Sequence, residues 1–392
     1  MLDIVSIQRA LAADRLDGWL LYDFHGSNPI AQQLAGLNGG PHMTTRRWYY
    51  LIPATGEPRA LVHAIEQHNL DHLPGTRVLY AGRKQLDDGL TALLGGHRRV
   101  AMEYSPDCAI PYVSRVDAGT VEAVRKRGVE IVSSGDLVQQ FEATWTAAQL
   151  SLHQEASAAL YRIKDKAFSA ASDALTAGRR QTEYDLQQLM VQWFQDEGLV
   201  SDAPPVVALG ANAGNPHYLP TAEQNRVIVA DEVLLLDLWG KKTQPGAVFA
   251  DITWVGATSR QPAPEAAAAF AAIVRARDVA VQLVQERAGS GQDLRGWEVD
   301  RAARQMLEDS GYGTFVLHRT GHSLGENVHG NGTHLDDYET HDERRIVPRT
   351  GFTVEPGLYF SNFGVRTEIN VYRGERDAVV TGERQTGIVT LR

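Results

Sequence analysis

Residues 317–330 read LHRTGHSLGENVHG, residues 352–360 read FTVEPGLYF, and residues 364–371 read GVRTEINV. They set His318, His322 and His329, then Glu355, then Arg366 and Glu368, among residues that are mostly apolar, β-branched or glycine. Upstream, LLLDLWG at 234–240 carries Asp237 and FADITW at 249–254 carries Asp251. Side chains alternate faces along a strand. Asp237 therefore shares a face with Leu235 and Trp239, Asp251 with Phe249 and Thr253, and Glu368 with Arg366 and Asn370. A carboxylate on a buried strand is costly unless it is paired or bound to a cation. A single one is commonly a satisfied core acid. Four in one region, with a histidine in a glycine-flanked loop and few cationic neighbours in sequence, point to a shared site for divalent metal. The expected ligands are Asp237, Asp251, His322, Glu355 and Glu368.

One imidazole and four carboxylates make a hard donor set. It favours manganese, cobalt, iron or magnesium over a thiolate-type zinc site, although affinity alone does not exclude zinc. Four carboxylates balance two dications, and a metal pair can clamp a hydroxide while polarising a carbonyl. We expect two divalent ions per chain, manganese first, with cobalt or zinc as alternatives.

The chain has 392 residues, enough for two or three domains. Its formal charge of −10 argues against nucleic acid or anionic membrane as a partner. The one cysteine, Cys108, rules out an internal disulfide and a cysteine-based metal site. No run approaches the roughly 18 apolar residues of a membrane span. The opening MLDIVSIQRA lacks a basic segment followed by an apolar one, so no signal peptide is expected and the cytoplasm is the expected location.

Helix and strand signals alternate through the first part. Helices are expected over 6–16, 84–94, 111–128 and 135–144. Strands are expected over 19–24, 47–53, 59–64, 78–81, 100–103 and 129–133. This is an α/β layered domain, without a phosphate-binding glycine fingerprint; Gly39-Gly40 reads as a loop. The character changes near 141–148. A helix over 147–176 and a second over 182–195, capped by Thr182 and stopped by Gly198, open an α+β domain. Strands are expected over 206–209, 227–228, 233–240, 248–256, 352–360, 365–372 and 378–381, with helices over 262–288 and 296–310. Strands converging on one site imply a curved antiparallel sheet with helices outside it. The expected domains are 1–143 and 144–392. His334 and His341 read as solvated residues of a charged loop.

These motifs resemble those of the pita-bread metallopeptidases of family M24, in particular aminopeptidase P and prolidase. The carriers are DLWG with Asp237, ADITW with Asp251, TGHSLGENVH with His322 and His329, TVEPGLY with Glu355, and VRTE with Glu368. The first domain resembles the creatinase-type domain that precedes this fold in the proline-directed members. The resemblance implies an α/β creatinase-like domain followed by an α+β pita-bread catalytic domain, and hydrolysis of an Xaa-Pro bond by a metal-bridging water. It implies that Asp237 chelates one metal, that Asp251 and Glu368 bridge both, and that His322 and Glu355 hold the other, Glu355 also serving as general base. His329 would hydrogen-bond the substrate, and His217, in ALGANAGNPHY at 208–218, would assist at the scissile bond. His318 and Arg366 match positions typical of the proline-specific members and would serve substrate binding. Asp237 and Asp251 stand 14 residues apart, slightly more than usual in the family, with the extra length in the polar turn KKTQPG at 241–246.

Creatinase itself lacks the ligand set, and methionine aminopeptidase usually lacks the first domain. Two catalytic readings remain: prolidase, acting on Xaa-Pro dipeptides, and aminopeptidase P, acting on longer peptides. A third is a non-catalytic binding module of the same fold. A dipeptidase needs a group for the substrate's C-terminal carboxylate, and an arginine suits it. Arg46 or Arg47, in PHMTTRRWY at 41–49, is the candidate, supplied by the partner in a homodimer; a plain solvated arginine is the alternative.

Overall fold

The computed structural model describes residues 2–38 and 43–392, which form two compact units, Met1–Glu142 and Ala143–Arg392. The Gly39-Gly40 loop lies outside the described residues.

In the first unit six strands form one mixed sheet: β1 (Gly18–Asp23), β2 (Trp48–Pro53), β3 (Arg59–His63), β4 (Thr76–Tyr80), β5 (Arg99–Met102) and β6 (Glu130–Ser133). Their order across the sheet is β4-β3-β2-β1-β5-β6. The central strand is buried along its whole length. Register pairs Trp19 with Ile52 and Leu21 with Tyr50, and these four belong to one apolar core; Leu20, Tyr22, Tyr49 and Leu51 belong to the other. A two-sided strand of this kind reads as a continuous apolar run rather than an alternation. Helices α1 (Ile4–Ala13) and α2 (Pro29–Leu34) feed one core. Helices α3 (Arg83–Leu94) and α4 (Ala118–Arg125) feed the other, and α5 (Gly135–Val138) runs into a π-turn at Gln139–Ala143. The helix expected over 111–128 is in fact a 3₁₀ turn, Pro111–Val113, then α4. Asp117 interrupts it, capping α4 with its carboxylate on the Thr120 N–H.

The second unit begins with α6 (Ala147–Thr176), opened by a capping box between Thr146 and Gln149. Next comes α7 (Glu183–Asp196), capped by Thr182 and ended at Gly198, whose φ of +65° suits glycine. Strands β7 (Leu199–Val200) and β8 (Val206–Leu209) pair with β9 (Val233–Lys242), which pairs with β10 (Ala250–Ala257). Helices α8 (Pro264–Ser290) and α9 (Gly296–Asp309) follow. A second sheet runs β11 (Ser323–Leu324), β12 (Thr350–Val354), β15 (Ile369–Arg373), β16 (Ala378–Val380), and β13 (Gly357–Tyr359) pairs with β14 (Gly364–Arg366). Strand β17 (Val389–Thr390) closes the edge beside β10. The strand expected over 227–228 is reduced to one bridge, Val227 to Thr182.

The faces of β9 divide the unit. Leu234, Leu236 and Leu238 pack with α6 and α7, through Leu160, Ile163 and Leu186. Val233 and Leu235 face the core that α8 and α9 share with the second sheet. Each fully buried aliphatic side chain is worth roughly 1.5–3 kcal/mol, so both faces are firmly held. Asp237 and Trp239 continue the face of Val233 and Leu235. The acids thus sit between two stabilised sheets.

The strands expected over 352–360 and 365–372 are both broken. The first stops at Glu355-Pro356, where proline cannot continue a ladder. The second stops at Thr367-Glu368, where the chain leaves β13 and joins β12.

Candidate metal centre

Asp237 and Asp251 lie on one face of the β9/β10 hairpin. Asp237 is directly opposite Thr253 and Asp251 directly opposite Trp239, so the two acids are diagonal neighbours. The longer polar turn leaves this register intact. The sheets join here: the Asp251 N–H donates to Asn370 Oδ1 (2.9 Å), and Asn370 Nδ2 donates to the Asp251 carbonyl (2.7 Å). The Glu368 N–H donates to the Thr253 carbonyl (3.2 Å), and the Thr253 hydroxyl to Glu368 Oε2 (2.7 Å). Both broken strands therefore deliver a glutamate at the seam.

His322 comes from the other side. Its N–H donates to Thr353 Oγ1 (2.9 Å), and the Thr353 hydroxyl donates to Glu355 Oε1 (3.0 Å), fixing the two together. His322 Nε2 is 3.5 Å from Asp251 Oδ2 and 3.4 Å from Glu355 Oε1. The preceding Gly321 touches the Thr353 carbonyl so closely that a Cβ would sit 2.1 Å from that oxygen. Only glycine admits this approach.

Donor atoms of Asp251, His322 and Glu368 all lie within 4.8 Å of one another, and all three residues are buried. Burial, reinforced by the charges of Asp237 and Glu355, pushes the Asp251 carboxyl well above the usual carboxylate range. Burial and Asp251 do the same to Glu368. Asp251 Oδ1 is buried without a hydrogen-bond partner among the described residues. A buried carboxylate oxygen left unsatisfied beside two other acids is what a bound cation would relieve. The donor set fits a hard divalent metal.

Arg366 puts a guanidinium in direct hydrogen-bond contact with this group. It donates to Asp237 Oδ2, to Thr253 Oγ1 (2.9 Å) and to the Tyr359 hydroxyl (3.1 Å). Even so, burial outweighs it and holds the Asp237 carboxyl above its ordinary range. The Arg366 guanidinium does not neutralise Asp237. Glu355 behaves oppposite to the other acids: burial pushes it up, but His322, His318 and Arg366 together hold it below the ordinary value. It is the carboxylate most ready to stay ionised. His318 bonds the Tyr359 hydroxyl through Nε2 (2.7 Å), so His318, Tyr359, Arg366 and Asp237 form one chain. Burial pushes the Tyr359 hydroxyl up to about 12, keeping it protonated. His329 sits edge-on to His322, ring centres 4.4 Å apart, and burial holds it neutral with a pKa of about 4.

Three further residues expected at the site are His217, Arg46 and Arg47. His217 is exposed in the turn after a 3₁₀ segment, Gly210–Gly214; its N–H donates to Asn215 Oδ1 (3.1 Å), and among the described residues no hydrogen bond joins it to the four acids or His322. Arg46 and Arg47 belong to the first unit and are exposed. Arg46 Nη1 donates to the Thr45 carbonyl (3.3 Å), and Arg47 lines a cavity of about 760 Å³ with Tyr22, Tyr49 and Arg83.

The reading of His334 and His341 as solvated is overturned. His334 is fully buried and accepts the Ser323 N–H at Nδ1 (3.1 Å). His341 is half-buried, stacked on Trp297 and bonded to Asp337 (2.6 Å). The charged loop is folded inward because its aspartates cap its own backbone: Asp336 Oδ1 takes the N–H groups of Tyr338, Glu339 and Thr340. Thr253, Thr353, Tyr359 and Asn370 carry no charge, and the sequence reading gives them no role. Thr253 and Thr353 each stand two residues from an acid on the same strand face, which is the one signal that could have found them.

The sequence profile of metallopeptidase family M24 matches residues 155–380, well over half the chain, and the chain belongs to that family. It is 25 % identical over 253 residues to the probable dipeptidase PepE of Mycobacterium tuberculosis, a match covering 64 % of this chain and 62 % of that relative. It is 30 % identical over 207 residues to the Xaa-Pro dipeptidase of Lactobacillus helveticus, covering 52 % of this chain and 51 % of that one. The dipeptidase PepE structure from Mycobacterium ulcerans superimposes with a TM-score of 0.70 at 22 % identity, covering 99 % of this chain and 96 % of that one. The prolidase from Pyrococcus horikoshii does so with a TM-score of 0.60 at 18 % identity, covering 97 % and 98 %. The fold is the two-domain pita-bread arrangement expected from the motifs. Among the described residues no helix is long and apolar enough to cross a membrane.

Proposed function

We propose that this chain hydrolyses the Xaa-Pro bond of dipeptides, with Asp237, Asp251, His322, Glu355 and Glu368 holding two divalent cations. The observation that carries this is the convergence of Asp251, His322 and Glu368 donor atoms within 4.8 Å, with one oxygen of Asp251 buried and unsatisfied. Asp237 and Glu355 extend the set on either side. When bound, divalent cations supply Lewis-acid polarisation and make a water easier to deprotonate.

The chain's own residues do the rest. Glu355, ionised, takes a proton as the water oxygen bonds to the scissile carbonyl carbon. As the C–N bond breaks, Glu355 returns that proton to the proline nitrogen, which leaves as a secondary amine. His329, neutral, donates a hydrogen bond to the substrate, and His217 assists from its exposed turn. The chain from His318 through Tyr359 to Arg366 fixes the orientation of Asp237. Proline offers no N–H, so substrate recognition rests on its ring and on the carboxylate that follows. Arg46 or Arg47 of a dimer partner binds that carboxylate.

The test is a panel of Xaa-Pro dipeptides and Xaa-Pro-Xaa tripeptides with manganese, cobalt or zinc, and after chelation. Dipeptide cleavage that needs metal, and loses its length preference in Arg46→Ala or Arg47→Ala, supports the reading. Equal or better tripeptide cleavage makes the enzyme an aminopeptidase P. No cleavage under any metal leaves a binding module of the same fold.

A further inference from the structure

We infer that Trp239, held in place by Asp202, forms the wall against which the first residue of the substrate rests, and so sets which Xaa-Pro peptides are accepted. This rests on the reading of the centre as an Xaa-Pro peptidase.

Three observations support it. First, Trp239 is directly opposite Asp251 in the β9/β10 register, on the face that carries both aspartates. It is the next residue on that face of β9 after Asp237, towards the turn that closes the hairpin. Second, Trp239 is only partly buried, although it packs against two apolar clusters. An indole beside a row of acids and still reaching solvent is free to offer a face to a ligand. Third, its orientation is fixed: Trp239 Nε1 donates to Asp202 Oδ1 at 2.6 Å.

The backbone explains how Asp202 reaches it. Leu199 and Val200 pair with Lys242 and Lys241, whereas Val206 pairs with Asp237. Five residues, 201–205, therefore face only three, 238–240. The two extra residues make 201–205 a loop that connects the two ladders. That loop carries Asp202, an exposed residue, to the indole N–H. A tryptophan fixed at one end lines a pocket at little entropic cost.

A bare proline dipeptide has one variable feature, the side chain before the scissile bond. Its carbonyl must lie at the acids and its proline must follow, so the first side chain must rest on a surface next to the acids. Trp239 is an apolar surface in that position, and it suits leucine, methionine or phenylalanine better than glycine.

The experiment measures kcat and KM on Gly-Pro, Ala-Pro, Leu-Pro and Phe-Pro with the manganese-loaded full chain, comparing wild type with Trp239→Ala, Trp239→Phe, Asp202→Asn and Asp202→Leu. Calorimetry with L-leucine and with glycine, the released products, reads the same pocket without turnover. Removing a large apolar contact changes discrimination by about tenfold or more. The ratio of kcat/KM for Leu-Pro to that for Gly-Pro therefore falls about that far in Trp239→Ala, chiefly through KM, and leucine loses its binding advantage over glycine. Trp239→Phe and Asp202→Leu fall between, and Asp202→Asn, which keeps an acceptor, stays nearest wild type. A ratio that holds within twofold or rises in Trp239→Ala, or in Trp239→Phe if the alanine variant does not fold, overturns the inference. If wild type cleaves no Xaa-Pro peptide, the proposed function fails, and the leucine-to-glycine binding ratio still decides the role of Trp239.

Discussion

Arg366→Met separates the electrostatics of this centre from its packing. Methionine keeps most of the apolar stem and removes the guanidinium. Three buried acceptors lose their donor: Asp237 Oδ2, Thr253 Oγ1 and the Tyr359 oxygen. Arg366 is 6 % exposed and Asp237 is 9 % exposed, so water compensates little. Truncating one partner of a buried ion pair costs about 3–5 kcal/mol, because the other charge is left uncompensated. That cost applies to the metal-free protein. Where cations occupy the centre, they compensate Asp237 and the loss shrinks. Metal should therefore stabilise the variant more than the wild type, and the excess is a direct reading of how strongly cations act on Asp237. Denaturant unfolding of both proteins, in chelator and in saturating manganese, measures all four values. The expected result is a loss of about 3–5 kcal/mol in chelator, at least halved by manganese. An equal loss in both conditions would refute the link between Asp237 and the metal, and a loss below about 1 kcal/mol in chelator would refute the pairing itself.

Further outcomes follow from the same geometry. Thr253→Val removes the hydroxyl that bonds Glu368 and accepts from Arg366, and metal affinity by calorimetry should fall about 10–100-fold with circular dichroism unchanged. Gly321→Ala drives a methyl into the Thr353 carbonyl and should cost about 1–3 kcal/mol in unfolding experiments while displacing His322; an alanine variant as stable and active as wild type would contradict the close approach. His153 is buried, donates to the Phe249 carbonyl (2.8 Å), accepts from Thr381, and is held neutral by burial with a pKa of about 4. Its folded value lies below its unfolded value of 6.5, so its contribution is present above pH 6.5 and is lost as pH falls towards 4. The stability advantage of wild type over His153→Asn should shrink by about 3 kcal/mol across that window; a constant gap would show that His153 does not titrate there.

Much of this molecule was legible before its structure. The buried strands of the first unit show in the sequence as apolar runs between turns, and the 147–176 helix is legible to the residue because neither proline nor glycine interrupts its pattern before Gly178. Helix α2 was missed although Asn28 caps it and Pro29 opens it, a start signal hidden by the shortness of the six residues that follow. The two broken strands were missed for a reason tied to function. Glu355 and Glu368 sit at the breaks, and the flanking residues keep a strand-like pattern up to them, so spacing alone sees one continuous strand. His334 misled because a loop rich in aspartate and arginine looks solvated, whereas its acids are consumed by its own backbone. Residues that act by hydrogen bonding alone, such as Thr253, Thr353 and Tyr359, emerge only when partners distant in sequence come together.

The most direct test of the account is the metal content of the purified chain after dialysis against manganese, read by elemental analysis and by anomalous scattering from crystals. The account predicts two divalent ions per chain, bounded by Asp237, Asp251, His322, Glu355 and Glu368, and loss of both in Asp251→Ala. Wild-type protein that holds no metal there, or an Asp251→Ala variant that keeps the full complement, would contradict it.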